Sequence, residues 1–210
     1  YRVEKNLENM KKKDDTTGAL MSPHIKAHKI PELARTQIRL GAVGVTSSKV
    51  AEAEVMADAG IKDIFIANQV VTTTKLKRLA ALSKRVKISV GLDSVAGAKI
   101  LSDVFSAAGK KIDYVIEIDS GLNRCGVPPG LPAIELFNAI KHLSGLRFKG
   151  IFTHAGQVYG KQTLEDVMEI SRLESETMVE TLNCFKEAGV QPGVVSVGST
   201  PTMRVWEGCA

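Results

Sequence analysis

A chain of 210 residues that is 44% hydrophobic and 24% charged can bury a sizeable core, which excludes an extended tail. Its formal net charge of +5 comes partly from the lysine run at positions 11–13 and partly from scattered lysines. This pattern is typical of a solvated surface, so no nucleic-acid partner is expected. No apolar stretch reaches the roughly 18 residues of a membrane span, so no membrane partner is expected either.

The cysteines indicate the compartment. Cys125, Cys184 and Cys209 are odd in number and widely spaced, and none belongs to a metal-binding CxxC pair. Such usage is typical of a reducing compartment. Because no signal-like segment opens the sequence, we expect a cytoplasmic location.

The predicted elements alternate along the chain. A helix-like segment, YRVEKNLENMKKK, comes first, and short apolar stretches then alternate with longer amphipathic ones. This is the pattern of parallel strands joined by crossover helices. We predict strands near residues 22–27, 42–46, 62–67, 87–92, 113–119, 149–154 and 194–198. We predict helices near residues 31–40, 48–59, 74–84, 94–108, 131–143 and 163–188.

The repetition of strand and helix predicts an α/β fold, a (β/α)8 barrel of the TIM type. Such barrels have eight strands and about 250 residues. We therefore expect the last strand beyond Ala210 and interpret residues 1–210 as one barrel domain of a longer protein. The alternative is a doubly wound open sheet, but no GxGxxG motif follows the first predicted strand.

Strand parity favours the barrel, because alternate residues of a strand point to opposite faces. In the segment VIEID, Ile116 and Ile118 share one face, while Glu117 and Asp119 share the other. We expect the apolar face to pack on helices and the acids to bond to lysines or to Arg124. A half-buried sheet with one solvated face is the alternative.

The segment SPHIKAHKIPE is predicted to form the first strand, with its polar side chains on one face. Parity places His24, Lys26 and His28 together, whereas Lys29 falls on the apolar parity. A lysine inside a barrel mouth would be desolvated, which would make its amine a usable nucleophile. A lysine on a strand can equally be an ordinary solvated side chain, and parity alone leaves both readings open.

Four motifs, PHIKAHK, IEIDSGLNRCGV, FTHAGQVYG and SVGSTPT, follow one another at the ends of predicted strands. Their order and spacing resemble those of the fold-type III pyridoxal-phosphate enzymes. The likeness is strongest to the D-threonine aldolase and D-serine dehydratase branch beside alanine racemase, and it spans nearly the whole chain. It implies a cofactor-binding barrel like the alanine racemase N-terminal domain. In that family a smaller C-terminal β-domain follows, and here it would lie beyond Ala210.

The resemblance implies roles for four side chains. Lys26 is similar to the lysine that forms a Schiff base with pyridoxal phosphate, and Arg124 to the arginine beside the cofactor's phenolic oxygen. His154 matches the histidine near the pyridine ring, and Tyr159 the tyrosine that reaches cofactor or substrate in dehydratase-like members. Without the resemblance, Arg124 is explained by a surface arginine, His154 by a satisfied core histidine and Tyr159 by a locally packed loop aromatic.

The resemblance also implies a phosphate-binding turn. Gly198, Ser199 and Thr200 follow the last predicted strand, and backbone N–H groups with small hydroxyls suit a phosphate dianion. By resemblance these three residues hold the cofactor phosphate. The same GSTPT segment is a helix N-cap signal, and the two readings are compatible because both use free N–H groups.

Some positions depart from the family pattern. Ser22 stands where many relatives carry an arginine immediately before the PH pair, so any contact from that arginine is lost or supplied elsewhere. Gln157 and Tyr159 resemble the dehydratases more than the aldolases.

The resemblance implies a pyridoxal-phosphate-dependent lyase for 3-hydroxy D-amino acids. A D-threonine aldolase releases glycine and an aldehyde, whereas a D-serine dehydratase releases pyruvate and ammonia. A divalent metal (zinc, manganese or magnesium) is implied as well, with its ligands in the C-terminal domain and none in this chain. A homodimer is expected on the same ground.

Two alternatives remain. An amino-acid racemase of the alanine racemase type is disfavoured because KAHK replaces a KANAYGHG-like run. A non-enzymatic pyridoxal-phosphate homeostasis protein is disfavoured because no HFIGxLQ-like segment is present.

Overall fold

A computed structural model of the protein describes residues 2–208, apart from the side chain of Asp14, so Cys209 lies outside the described residues. The chain divides into two compact units, residues 1–90 and residues 91–210. Among the described residues, every helix is too short or too polar to cross a lipid bilayer.

Unit 1 alternates helices and parallel strands. Its helices are α1 (Arg2–Thr17), α2 (Pro31–Arg39), α3 (Val50–Asp58) and α4 (Thr73–Leu82), and its strands are β1 (Val45–Ser47), β2 (Asp63–Gln69) and the start of β3 (Lys87–Leu92). Strand β1 pairs in parallel with β2, with Val45 opposite Ile64. The fully buried Ile64 and Ile66 alternate along β2, and Leu76 and Leu79 of α4 are fully buried as well. The apolar period of two in the strand and of three to four in the helix therefore forms the core of this unit.

The strand predicted at residues 22–27 is wrong. Residues Ile25–Ala27 form a 3-10 turn, and His24 makes only an isolated parallel bridge to Thr46. The reason is local, because the imidazole Nδ1 of His24 accepts a hydrogen bond from the backbone N–H of Lys26 at 3.2 Å. A side chain that takes a backbone donor two residues on favours a turn over a strand ladder.

Because residues 25–27 form a turn, strand parity does not determine where the Lys26 side chain lies. In the turn, Ile25 is completely buried while Lys26 and Ala27 are both exposed. Alternation along a strand would have placed Ile25 and Ala27 on one face. The expected desolvation of Lys26 is therefore absent, and its role needs another argument.

Unit 2 repeats the same alternation. Its helices are α5 (Val95–Ala107), α6 (Leu131–Ile140), α7 (Leu164–Glu187) and α8 (Thr200–Val205), and its strands are β4 (Ile112–Ile118), β5 (Leu146–Thr153) and β6 (Val194–Ser196). Strand β5 pairs in parallel with β4 on one side and β6 on the other. Because Ile118 lies opposite Thr153 and Phe152 lies opposite Ser196, the three strands end at one edge. The loops that follow them begin side by side.

Aromatic packing forms the core of unit 2. The ring of Phe148 on β5 lies 4.8 Å from that of Phe137 on α6 and 5.4 Å from that of Phe185 on α7. Tyr114 on β4 completes the cluster, 5.5 Å from Phe148. The helices thus cover the apolar face of the sheet, as strand parity predicts.

The remaining predicted elements are confirmed within a few residues. The strand predicted at 42–46 runs from Val45 to Ser47, and the one predicted at 194–198 ends at Ser196. Each of the six predicted helices has an observed counterpart. The interpretation of residues 1–210 as a single barrel domain stays a prediction.

Candidate functional site

In unit 1, two histidines cap the turn that carries Lys26. Nδ1 of His24 accepts from the Lys26 amide, and Nδ1 of His28 accepts from the Ile30 amide at 3.0 Å. Burial lowers the pKa of His28, and a neutral ring nitrogen is what the Ile30 amide needs as an acceptor. Both imidazoles therefore shape the backbone around Lys26.

Lys29, the second lysine of the motif, is held by an acid. Its ammonium lies 3.3 Å from Oε1 of Glu52, a buried residue of α3, and its backbone has the unusual φ of +53°. Oε2 of Glu52 accepts from the amide and the hydroxyl of Ser48, both at 2.9 Å. Burial alone would raise the pKa of Glu52, but the Ser48 donors and the Lys29 charge together hold it below its ordinary value.

Lys26 differs from Lys29 in its surroundings. Its side chain is exposed, and among the described residues no carboxylate lies within ion-pairing distance of its amine. Of the two lysines in PHIKAHK, Lys26 is therefore the one whose amine is not already engaged. This distinction replaces the failed parity argument.

In unit 2, the loop after β4 holds the predicted arginine. Nη2 of Arg124 lies 3.8 Å from Oε1 of the buried Glu117, which confirms the predicted pairing of these residues. Asp119 instead accepts from the amides of Gly121 and Asn123, at 2.9 and 3.0 Å. Its carboxylate therefore folds the loop and does not pair with a cation as predicted.

Cys125 of the same loop belongs to a cluster that the sequence does not reveal. Ligand-type atoms of Asp93, Glu117 and Cys125 all lie within 4.8 Å of one another. Asp93 also accepts from the amide of Gly126 at 3.2 Å. A Cβ at Gly126 would come within 2.9 Å of the Asp119 amide nitrogen, and its φ is +100°, so this close packing needs glycine.

The loop after β5 is tied to the loop after β4. The hydroxyl of Thr153 lies 2.7 Å from the carbonyl oxygen of Ile118 and 2.7 Å from the Ser120 hydroxyl. The side-chain amide of Gln157 donates to the Ser120 carbonyl at 2.8 Å. These bonds fix the position of the two loops that carry Arg124 and His154.

His154 and Tyr159 lie on that second loop. Nδ1 of His154 is 3.5 Å from the carbonyl oxygen of Gly198, and its ring centroid is 6.4 Å from that of Tyr159. Because a carbonyl only accepts, this contact is a hydrogen bond in the tautomer that carries the proton on Nδ1. Tyr159 itself is 59% exposed, so its hydroxyl is accessible from solution.

The turn after β6 contains the three predicted phosphate residues, and they are not equivalent. The Gly198 amide donates to Oε1 of Glu174 at 3.0 Å, and the Ser199 amide donates to the Thr202 hydroxyl at 2.9 Å. Ser199 and Thr202 form a reciprocal capping box, so the helix-cap reading of GSTPT is correct. Thr200 is exposed, and among the described residues its amide and hydroxyl have no hydrogen-bond partner. It is the group in this turn that can donate to a ligand.

Glu174 is a residue that the sequence interpretation missed. It lies on α7 with only 1% of its surface exposed, and its Oε1 accepts from the amides of Ala155 and Gly198 at 3.2 and 3.0 Å. Burial raises the pKa of its carboxyl, against the opposing effects of those amides and the Thr202 hydroxyl. The available signal was helical periodicity, because Glu174 lies four residues from both Ile170 and Met178 on the buried stripe of α7.

Unit 2 therefore brings Arg124, His154, Tyr159 and the turn at residues 198–200 to loops that follow adjacent strands and are bonded to one another. Lys26 belongs to unit 1 and is described with that unit. A guanidinium, an imidazole, a phenol and free backbone and hydroxyl donors form a donor set suited to an anionic, aromatic ligand.

Comparisons with known proteins bear on the family and the fold. The chain is 34% identical over 197 residues to D-threonine aldolase of Arthrobacter sp, covering 94% of the chain and 52% of that protein. It is 31% identical over 202 residues to D-threo-3-hydroxyaspartate dehydratase of Delftia sp. (strain HT23), covering 96% of the chain and 53% of that protein. The crystal structure of D-threonine aldolase from Filomicrobium marinum superposes with a TM-score of 0.90 and 35% identity, covering 98% of this chain and 57% of that one.

The chain spans about half the length of the curated relatives it matches. The superposition on the Filomicrobium enzyme confirms the predicted fold class. The family model for the alanine racemase N-terminal domain matches residues 1–210. The predicted family is thereby confirmed, and the chain belongs to the alanine racemase N-terminal domain family.

Proposed function

We propose that this protein is a pyridoxal-phosphate-dependent lyase acting on 3-hydroxy D-amino acids. The observation that carries the proposal is the contrast within PHIKAHK, where Lys29 is paired with Glu52 while the exposed Lys26 is not. A lysine amine that serves as the covalent anchor of an aldehyde cofactor must be free of such a pairing. The family relatives named as aldolases and dehydratases support the same reaction class.

The residues fit pyridoxal phosphate in the chemistry of their donors. Lys26 supplies the amine, and the exposed guanidinium of Arg124 supplies a fixed cation for the phenolic oxygen. Thr200 supplies an N–H and a hydroxyl for the phosphate, whereas the amides of Gly198 and Ser199 already have partners. We therefore assign the phosphate contact to Thr200, with Gly198 and Ser199 shaping the turn around it.

His154 and Tyr159 are the groups that can move a proton near the cofactor ring. The cofactor supplies an electron sink for the bonds to the substrate's α-carbon. Nδ1 of His154 lies 3.5 Å from the Gly198 carbonyl oxygen, and we propose that this imidazole faces the cofactor ring. The exposed hydroxyl of Tyr159 can donate to the cofactor or to the substrate's 3-hydroxyl group.

Two reactions belong to this proposal. An aldolase breaks the Cα–Cβ bond of D-threonine and releases glycine with an aldehyde. A dehydratase removes the 3-hydroxyl of D-serine as water and leads to pyruvate and ammonia. We also propose a divalent metal (zinc, manganese or magnesium), a homodimer and a cytoplasmic location. For the metal, support comes from a D-threo-3-hydroxyaspartate dehydratase mutant described in its metal-free form.

The test of the reaction uses the purified natural protein with D-threonine and D-serine, each with and without a chelator. We expect glycine and acetaldehyde, or pyruvate and ammonia, with turnover that falls in the chelator and returns with added metal. Conversion of D-alanine into L-alanine instead would identify a racemase. Binding of pyridoxal phosphate without turnover of any of these amino acids would identify a carrier and refute the lyase.

The test of the anchor is independent of turnover. Borohydride reduction of the protein loaded with pyridoxal phosphate, followed by peptide mapping, should label Lys26. The matched control is Lys29→Ala, which removes the neighbouring amine and should leave the label in place. A label on Lys29 in the unmodified sequence would contradict the assignment.

A further inference from the structure

We propose that Glu174 is a positioning residue that holds the His154 loop and the Gly198 turn in the relative position required by the cofactor's phosphate and ring. The inference rests on the proposed function, because it assumes that this site binds pyridoxal phosphate. It assigns a role to a buried acid that takes no part in the proposed chemistry.

A single carboxylate oxygen of Glu174 joins the two segments. Oε1 of Glu174 accepts from the Ala155 amide at 3.2 Å and from the Gly198 amide at 3.0 Å. Ala155 is completely buried, Glu174 is 1% exposed and Gly198 is half-buried, so the Ala155 amide has no access to water that could replace its acceptor. Two backbone donors from different loops thus depend on one acceptor.

Both backbone groups of Gly198, its amide and its carbonyl, make contacts. Its amide is fixed by Glu174, and its carbonyl oxygen lies 3.5 Å from Nδ1 of His154. Its φ of +126°, with Met203 atoms 2.8 Å from a Cβ position, excludes other residues from this conformation. A shift of Gly198 therefore changes the partner that orients the His154 ring.

The position of Gly198 also affects Thr200, the proposed phosphate donor. Because Glu174 occupies the Gly198 amide, the turn presents Thr200 to a ligand, and the location of Thr200 depends on where Gly198 is held. Oε2 of Glu174 is buried without a hydrogen-bond partner among the described residues. The contacts that matter are therefore those of Oε1 as an acceptor, and a neutral acceptor of the same shape should serve equally.

The experiment compares three variants by titration with two ligands. Glu174→Met removes the acceptor at similar length, Glu174→Gln keeps an oxygen acceptor without charge, and Glu176→Met is a matched control at an exposed position of α7. The ligands are pyridoxal phosphate and pyridoxal, which lacks the phosphate. Their dissociation constants, followed by the near-visible absorbance, give an affinity ratio for each protein.

We expect Glu174→Met to weaken pyridoxal phosphate binding about tenfold, the equivalent of one lost hydrogen bond to a charged group. Binding of pyridoxal should weaken less, so the affinity ratio falls. Glu174→Gln and Glu176→Met should keep the ratio of the unmodified protein. A general loss of folded protein would weaken both ligands together and leave the ratio unchanged.

An unchanged ratio in Glu174→Met, or an equal fall in Glu174→Gln, overturns the inference. If Glu174→Met does not fold, hydrogen exchange of the unmodified protein decides, because the amides of Ala155 and Gly198 should exchange slowly before and after cofactor binding. Fast exchange of either amide overturns the inference alone. Failure of the unmodified protein to bind pyridoxal phosphate overturns the proposed function itself.

Discussion

Two buried glutamates, one in each unit, hold neighbouring backbone segments of their own unit in different ways. Glu52 on α3 receives two hydrogen bonds from Ser48 and faces the ammonium of Lys29. Glu174 on α7 receives two backbone hydrogen bonds and has no cation beside it among the described residues. The pKa of Glu52 is held below its ordinary value, and that of Glu174 is raised by burial.

The difference shows that burial alone does not decide the charge of an acid. Glu52 is 9% exposed against 1% for Glu174, and the Ser48 amide, the Ser48 hydroxyl and the Lys29 charge together outweigh its desolvation. Its role is that of a counter-ion that occupies Lys29. Glu174 acts as a backbone acceptor, for which an ionised carboxylate is not required.

The largest expected effect is the loss of the Glu174 acceptor. Glu174→Met leaves the buried Ala155 amide and the half-buried Gly198 amide without their acceptor, at a cost of about 2 to 3 kcal/mol of unfolding free energy. Urea denaturation should show this loss, and the exposed Glu176→Met should show almost none. A loss in Glu174→Met no larger than in the control would mean that both amides find other partners.

The next effect separates the two acids by removing charge alone. Glu52→Gln replaces the acceptor of the Lys29 ammonium by a neutral amide, and should cost about 1 kcal/mol. Glu174→Gln keeps its acceptor oxygen and should cost less. Thermal unfolding of both variants measures the difference, with Glu135→Gln at an exposed position of α6 as the control. The comparison fails if Glu174→Gln is the less stable of the two.

The sequence predicted most of the fold because its signals are local. Alternation in β2 and the apolar stripe of α7 reflect contacts made within a few residues, and both elements lie where they are predicted. The strand prediction for residues 22–27 was wrong because the His24 side chain accepts a backbone hydrogen bond that a strand partner would otherwise take. Hydrophobic alternation carries no information about such side-chain bonds. The pairing of Glu117 with Arg124 was predictable because both flank one short loop.

The remaining contacts, within each unit, join segments that are distant in sequence. Glu174 joins loops that lie 19 and 24 residues away in sequence. Lys29 meets Glu52 from another element, and Asp93 meets Cys125 after two further elements have formed. Such partners are fixed by tertiary packing, so their sequence positions look ordinary.

Stability against pH should differ in sign between the two acids. The raised pKa of Glu174 means that its contribution is present below 4.5, the ordinary value, and is lost as the pH rises through the higher pKa of the folded state. The lowered pKa of Glu52 gives a contribution present above 4.5 and lost as the pH falls through the lower pKa of the folded state. Free energies of unfolding should be measured on both sides of pH 4.5. As the pH rises, the stability of Glu174→Gln relative to the unmodified protein should increase. Over the same range, the stability of Glu52→Gln relative to the unmodified protein should decrease. Parallel stability curves for the two variants would contradict the assigned pKa shifts.

The smallest expected effect concerns another buried oxygen without a partner. The hydroxyl of Tyr114 is buried with no hydrogen bond among the described residues, while its ring packs 5.5 Å from that of Phe148. Burial raises the pKa of this phenol, which therefore stays neutral, and removing an unbonded neutral hydroxyl relieves its desolvation cost. Tyr114→Phe keeps the ring contacts and should leave stability unchanged or raise it by up to about 1 kcal/mol.

Urea denaturation measures this change, and Tyr159→Phe, at an exposed position, is the control for removing a phenol hydroxyl without a burial effect. A clear loss of stability in Tyr114→Phe would mean that the hydroxyl has a partner in solution. The orphaned Oε2 of Glu174 would then be open to the same explanation, since both oxygens are buried in unit 2.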